Sequence, residues 1–442
     1  MTHLPFHGIQ NSKVKRLLNL FLTLDVSCLA PYINALVIHQ KGRVMENSKF
    51  LSHSTKIYLD RNLQIIIGIT LMAVLGSSSI GPVLPTMASE LQIPVEKVGL
   101  VITVFVVPIA IGTPISGVLA DRFGRKQILI PSLLLFAIAG VACSFAPNFR
   151  TLLELRFLQG VGAASLEALA LTLISDLYTG KSLTSAMAFN ASMIGMSLAV
   201  YPLISGGLAT WGWRYPFLLP LLAVPIVLAV IFFLELPQFE KPPKFRLKVY
   251  LRNIWHSVNN SQVLGLLFAV VALFILLFGP YFTYIPMLAG DVFEASNVEI
   301  GIILATMALS LAFVSSQVAL FSRSLSEFTL IKISFVLYTL AVIVTPLLQN
   351  MWLLLIPSIL FGAAHGMCFP ATQALLGKLA PQDYRAGFMA VNATVLSIGQ
   401  ALGPLLAGVA FGVWGMAGVF YAAAGFSVLS LGLISKLFVT VD

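Results

Sequence analysis

Residues 117–126 read GVLADRFGRK, one acidic and three basic residues with two glycines, set between two long apolar runs. Holding even one such charge at mid-bilayer costs about 2.5–3.5 kcal/mol, so Asp121, Arg122, Arg125 and Lys126 together place this stretch in water. It is a tight connector between two membrane spans. Gly117 permits close helix approach, and Gly124 permits a left-handed turn. A generic basic loop accounts for the arginines and the lysine but not for Asp121 or the glycine spacing.

Composition points the same way. The chain is 58% hydrophobic and 10% charged, with a mean hydropathy of +0.95, far outside the range of soluble globular proteins. The net charge of +9 does not point to nucleic acid, because the basic residues sit in short loops between apolar runs. Cys28, Cys143 and Cys368 form no metal or redox spacing, so no metal site is expected and the last two read as packing residues.

From Asn62 onward, runs of about 20 apolar residues, enough to cross a bilayer, recur with short polar breaks. They occupy 62–85, 98–119, 127–146, 151–175, 186–209, 215–236, 263–288, 299–321, 330–348, 352–377, 387–410 and 415–436. The long break between the sixth and seventh carries Lys241, Lys244, Arg246, Lys248 and Arg252 against Glu240. The expected organisation is a tail (1–61), a six-helix bundle (62–236), a basic linker (237–262), a second six-helix bundle (263–436) and a short tail (437–442). Residues 1–55 are the least legible. Their apolar part is broken by Asp25, Pro31 and Asn34, and they read either as a cytoplasmic tail or as an extension upstream of a start at Met45. With the segment before Asn62 inside, nearly all Lys and Arg fall on the cytoplasmic side. Only Lys97, Arg150 and Arg214 fall outside, so both termini are expected in the cytoplasm.

An internal repeat supports the six-plus-six division. A shift of 202 residues lays Gly160 on Gly362, Asn190 on Asn392, Pro202 on Pro404 and Gly206 on Gly408. The expected fold class is therefore an all-α polytopic membrane protein, twelve transmembrane helices in two pseudo-symmetric six-helix bundles.

The 117–126 stretch resembles the signature loop between the second and third helices of the major facilitator superfamily, G-x-L-A-D-R-x-G-R-K, at all eight specified positions. The resemblance implies two halves about a pseudo-twofold axis along the membrane normal, with the substrate path between them. It also implies a gating role for Gly117, Asp121, Arg122, Gly124, Arg125 and Lys126, with Asp121 near the start of the eleventh span. In the second half Arg323, Ser326 and Glu327 occupy the places of Asp121, Gly124 and Arg125, so the gate is expected to be asymmetric.

The fourth span holds LLELRFLQGVGAA at 152–164, similar to the family's L-x-x-x-R-x-x-Q-G, with Arg156, Gln159 and Gly160 at the specified places. An ionisable group inside a span is a functional candidate by default. Glu167 follows Arg156 by eleven residues, close to three whole turns, and is the one acid deep in any span. A carboxyl at that depth suits proton coupling; the alternative is a neutral, hydrogen-bonded acid among Ala163, Ala164 and Ala168. In the fifth span Gly195, Pro202, Gly206 and Gly207 resemble the glycine- and proline-rich motif of the drug–proton antiporter branch. Tyr201 stands where that motif has glycine before the proline, whereas the second half keeps Gly403 and Pro404. The first span carries no acid, which leaves coupling to the fourth. Tyr281, Phe282 and Tyr284 on the seventh span and His365 on the tenth either wall a substrate cavity or belong to the core.

These residues point to a proton-driven exporter of amphipathic or aromatic small molecules working by alternating access. A metabolite or sugar exporter, or a proton symporter on the same scaffold, is the alternative; a non-transporting membrane sensor would need a signalling domain, and none is visible. No phosphate-binding G-x-x-x-x-G-K-[ST] occurs. The chain is expected to be no enzyme and to use no cofactor beyond a proton gradient. Its expected partners are a small-molecule substrate and membrane lipid, with no nucleic acid. It is expected to be a monomer in the plasma membrane, that of a bacterial inner membrane.

Overall fold

The computed structural model of the protein describes residues 58–236, 259–381 and 385–439, and every element among them is helical. The expected N-terminal tail up to residue 57, most of the basic linker and the last three residues lie outside the described residues.

With no water to satisfy it, backbone in a bilayer must satisfy its own hydrogen bonds, and long apolar runs do so as helices. Ten spans precede the last helical run: α1 Arg61–Glu90, α2 Val95–Phe123, α3 Arg125–Cys143, α4 Phe149–Leu177, α5 Gly180–Trp211, α6 Tyr215–Phe232, α7 Ser261–Asp291, α8 Asn297–Phe321, α9 Glu327–Leu347 and α10 Met351–Leu379. The last run, Arg385–Val439, has 55 residues and would rise about 80 Å as one helix, against a hydrocarbon layer of about 30 Å. Gly415, at φ 68° and ψ −167°, breaks it into α11 (385–414) and α12 (416–439). Twelve spans result.

Polar residues just before the apolar runs set where helices begin. Asp60 accepts from the Leu63 N–H, Asn148 from Thr151 and Asn260 from Gln262. Ser296 and Glu299 close a reciprocal capping box at α8. Gly124, at φ 105° and ψ 145°, makes the one-residue joint between α2 and α3, a conformation close to glycine-only territory.

Two spans are irregular in mid-course. α4 is two helices, Phe149–Ala163 and Leu166–Leu177. α7 widens to a π-helix over Leu277–Tyr284, with Pro280 inside it.

The sequence repeat reappears as a repeat of contacts. A Cβ on Gly99 of α2 would strike Pro404 of α11, and one on Gly301 of α8 would strike the carbonyl of Pro202 on α5. These pairs exchange under the 202-residue shift. Gly206 against the Asn297 carbonyl and Gly408 against the Glu96 carbonyl do so to within one residue. Within each half, Gly160 against Phe105 matches Gly362 against Met307. Small residues let helix backbones meet where apolar side chains gain nothing over lipid.

All of these contacts between halves lie at the end of the bundle opposite the 117–126 loop. The hydrogen bonds Thr103 Oγ1 to Ala401 O (3.0 Å), Tyr284 Oη to Val95 O (3.3 Å) and Asn297 Nδ2 to Ala209 O (3.2 Å) lie there too. Toward the loop end the halves part. Ile111 and Val118 on α2 are each 62% exposed, Met196 on α5 and Phe313 on α8 are exposed, and a Cβ on Gly117 would meet nothing within 4 Å. The expected close approach at Gly117 is thus absent here, because this is the separated end.

Inside the first half, Thr70 donates to Asn190 Oδ1 at 2.7 Å with both residues buried. In the second half Asn392 is equivalent to Asn190, but Ala272 replaces Thr70, and the Asn392 Oδ1 has no partner among the described residues. Thr70→Val should therefore orphan Asn190 and lower unfolding stability in detergent by about 1 kcal/mol. An unchanged melting temperature would show that the bond contributes nothing.

Candidate transport site

Arg156 is 1% exposed, yet no carboxylate among the described residues meets it. Its Nε donates to the Val101 carbonyl of α2 (3.1 Å), Nη1 to Gln159 Oε1 (2.7 Å) and Nη2 to the Gly76 carbonyl of α1 (2.9 Å). The guanidinium also lies 4.1 Å from the centroid of the Phe105 ring. A planar fork that serves three acceptors on three helices is a task for arginine rather than lysine. Gly160, one turn away, lets the Phe105 carbonyl approach α4. Arg156, Gln159 and Gly160 therefore form a polar rivet joining α4 to α1 and α2.

Glu167 lies beyond the break in α4, in the first turn of its second helix. It is exposed and makes no hydrogen bond or ion pair with any described residue. The small residues near it in sequence, Ala163, Ala164 and Ala168, are buried or half-buried. At 100° per residue Glu167 stands about 40° from Leu171, one turn on, so these two exposed side chains share one face of the second helix. Arg156 points its N–H groups at α1, α2 and Gln159, so the two charges do not pair.

The break itself was invisible in the sequence, where neither proline nor glycine occurs between Ala163 and Leu166. Two α2 hydroxyls support it. Thr113 Oγ1 donates to the Ala164 carbonyl at 2.8 Å, and Ser116 Oγ reaches it at 3.4 Å. Sequence reasoning passed over both, since hydroxyls in a helix mostly bond their own i−4 carbonyl.

The second half has a different chemistry at the same depth. His365 is buried, its Nδ1 is 2.8 Å from the Tyr338 hydroxyl, and its ring stacks on Phe369 (6.0 Å, 13°). Phe274 meets both His365 and Phe369 edge-on. Tyr281 is stacked on Phe361 and donates to the Ile303 carbonyl (3.3 Å), and Phe282 packs beside it. Tyr284 is fully buried, stacked on Phe411 and bonded to Val95. In this state, then, Tyr281, Phe282 and Tyr284 are packed, with Tyr284 helping to close the end opposite the loop. The half-buried aromatic ring is Phe369, which the sequence reading did not single out.

The gating-loop residues gather at the parted end. Asp121 pairs with Arg125, and Arg125 Nε also reaches Asp176 Oδ2 of α4 at 3.2 Å. Arg122 lies over its neighbour Phe123, and Lys126 is half-buried. No described contact joins Asp121 to α11, in keeping with the parting of this end. The repeat equivalents of Arg125 and Asp176 are Glu327 and Lys378, which pair at 2.5 Å. The link between third and fourth helices of each half is thus kept with its signs exchanged. Nearby, Tyr178 donates to Asp60 at 2.5 Å; burial, reinforced by that bond, pushes its phenol pKa up.

Of the small residues, Pro202, Gly206, Gly403 and Pro404 lie at close packings: Gly403 against Ile275 and Gly279 of α7, the other three between halves. Gly195 and Gly207 have open space around them. Tyr201 uses the hydroxyl that glycine would lack to bond the Leu71 carbonyl of α1 at 3.0 Å. Cys143 and Cys368 are buried and unbonded to each other.

Comparison with known proteins agrees with this architecture. The family model described as Major Facilitator Superfamily matches residues 66–348 and 329–442. Multidrug resistance protein 1 of Bacillus subtilis (strain 168) is 26% identical over 79% of this chain and 90% of its own length. The bacillibactin exporter of the same organism is 33% identical, over 36% of this chain and 41% of that protein. Among solved structures, the nucleoside transporter NupG superposes with a TM-score of 0.73 at 14% identity, covering 86% of this chain and all of that one. A bacterial homolog of the human lysosomal transporter Spinster, in an inward-facing unoccupied conformation, gives 0.72 at 16% identity, covering 88% of this chain and 98% of its own.

Proposed function

Because the chain belongs to the major facilitator superfamily, and is a multi-pass membrane transporter of the secondary type, we propose that it exports amphipathic or aromatic small molecules in exchange for protons. The observation that carries this reading is Glu167, an exposed carboxyl deep in α4 with no hydrogen-bond or ion-pair partner among the described residues. An antiporter needs a group that binds a proton in one conformation and loses it in another, and a carboxyl whose surroundings change with the rocking of the halves supplies one. Apart from Arg156, the charged groups on the neighbouring α1, α2, α3 and α5 lie toward the span ends, among them Arg61, Glu90, Asp121, Arg125 and Lys181. Similarity to multidrug resistance proteins supports the direction and the substrate type.

In this reading the loop end is cytoplasmic, since the basic residues gather there, and the structure is the inward-open state of a protein with both termini inside. The membrane is the bacterial inner membrane, the working unit a monomer, and the partners a small-molecule substrate and lipid. The drive is a proton gradient, with no other cofactor and no catalysed reaction. The test is reconstitution into proteoliposomes with an imposed pH gradient and a panel of aromatic dyes, a nucleoside and a sugar. Gradient-dependent movement of the dyes is expected. Movement confined to the sugar or nucleoside, or indifferent to the gradient, would contradict it.

The gating loop gives a separate expectation. When the loop end closes, Asp121 is to meet the N-terminus of α11, whose partial positive charge favours a carboxylate. Asp121→Asn should slow turnover severalfold with substrate affinity little changed. A large loss of affinity at normal turnover would show that Asp121 belongs to binding instead.

A further inference from the structure

The break in α4 has a counterpart in the other half against which to judge it. The α4 ladder ends with the Ala164 N–H on Gly160 O (3.0 Å) and resumes with the Leu169 N–H on Ser165 O (2.9 Å); no described bond joins the Ala168 N–H to the Ala164 carbonyl. That carbonyl takes hydroxyls of α2 instead, Thr113 Oγ1 at 2.8 Å and Ser116 Oγ at 3.4 Å. Gly112 brings α2 this near, since a Cβ there would stand 2.8 Å from the Ala164 Cβ. Under the 202-residue shift Gly112, Thr113, Ser116 and Ala164 become Val314, Ser315, Val318 and Gly366. No described hydroxyl bonds the Gly366 carbonyl, and α10 is one α-helix from Leu355 to Leu379. The half with the hydroxyl contacts has the break, and the half without them has a continuous helix.

The break decides where Glu167 stands. It is the second residue of the helix Leu166–Leu177, not a residue in mid-helix. First-turn N–H groups lack acceptors within their own helix and carry a partial positive charge that favours a carboxylate. Ser165, at the cap position, makes no capping bond, and its hydroxyl is buried with no partner among the described residues. This second helix packs against α1, α2, α3 and α5. Away from their ends and that of α4, the titratable groups are Arg156, spent on carbonyls and Gln159, the buried Cys143, and Tyr201, bonded to the Leu71 carbonyl. The others, among them Asp121, Arg125 and Asp176, lie toward the span ends. The helix start is thus the one polar feature that the described backbone places beside Glu167.

We propose that Thr113 is a positioning residue for proton coupling: by holding the Ala164 carbonyl it keeps α4 broken, and so keeps Glu167 at the start of a helix. This rests on the export reading, in which Glu167 carries the proton. Without the hydroxyl, the Ala164 carbonyl is left to the Ala168 N–H and α4 closes as α10 does. The charged form of Glu167 then loses the helix start that favours it, and the pH profile of exchange moves upward. α2 also bears Gly99 and Thr103, which meet α11 at the closed end, so the helix that holds the break touches the other half directly.

The test compares Thr113→Val, which removes the hydroxyl and keeps the branched shape, with Thr113→Ser, which keeps the hydroxyl, and with Glu167→Gln. Melting temperatures show that each is folded, and Thr113→Ala stands in should Thr113→Val not fold. Hydrogen exchange of the purified full chain in lipid nanodiscs reads the break itself. The Ala168 amide is expected to exchange about tenfold more slowly in Thr113→Val, and as in the unaltered chain in Thr113→Ser. Ethidium exchange in proteoliposomes reads the coupling. Its pH profile should rise by about half a unit in Thr113→Val and return in Thr113→Ser. Unchanged exchange at Ala168, an unmoved profile, or a Thr113→Ser variant that behaves like Thr113→Val overturns the proposal. The export reading fails separately, if ethidium does not move or if Glu167→Gln keeps the full pH profile. A profile flattened by Glu167→Gln but unmoved by Thr113→Val refutes the role of Thr113 alone.

Discussion

Arg156→Ala is expected to abolish gradient-driven transport and to destabilise the first half. The side chain serves the Val101 and Gly76 carbonyls and Gln159 in a site from which water is excluded. Each acceptor left unpaired costs about 1–3 kcal/mol, and the three together take a large share of a net stability of about 5–15 kcal/mol. Arg156→Lys should fail as well: a single ammonium on a flexible stem retains the charge but cannot hold three acceptors in one plane. The check is efflux at matched expression together with thermal unfolding in detergent. Normal efflux by Arg156→Ala would refute the role of the rivet.

Gly301→Leu is expected to be nearly as severe, for a conformational reason. The Pro202 carbonyl sits where a side chain on Gly301 would start. Forcing methylenes into such a contact costs about 1–3 kcal/mol, and the cost falls only on the state closed at this end. The balance should move toward opening there by a factor of about 5–150. Spin labels at Trp211 and Val292, both exposed at the ends of α5 and α7, should report a longer separation, and transport should fall at least tenfold. Gly99→Leu, its repeat equivalent, should do the same through Pro404. An unchanged separation and full activity in both would show that these glycines do not set the closed state.

The span count, the loop and the repeat were legible in the sequence because each rests on local chemistry: runs of apolar residues, charges that must stay in water, glycine where φ is positive. Arg156 and Glu167 stood out because a charge within an apolar run is conspicuous. What those charges touch was not legible. The partners of Arg156 are backbone carbonyls of α1 and α2, which carry no side-chain signature. Nothing at Ala164 or Ser165 announces the break that precedes Glu167. Phe369 is one phenylalanine among 31, and nothing in the sequence sets it against Phe274 and His365. Tyr281, Phe282 and Tyr284 have the composition of a pocket wall, yet here the π-helical stretch of α7 carries them into packing. Glu327 read as a lost signature position, but it keeps the link of Arg125 with its sign reversed, a relation visible only once Lys378 is seen beside it.

The exchange of protons for substrate through Glu167 is tested most directly by recording both fluxes at once in proteoliposomes, for the unaltered chain and for Glu167→Gln. The unaltered chain should move protons opposite to an aromatic substrate and accumulate that substrate against its gradient. Glu167→Gln should exchange substrate downhill with no accompanying proton movement and accumulate none. Accumulation by Glu167→Gln with an undiminished proton flux would contradict the account.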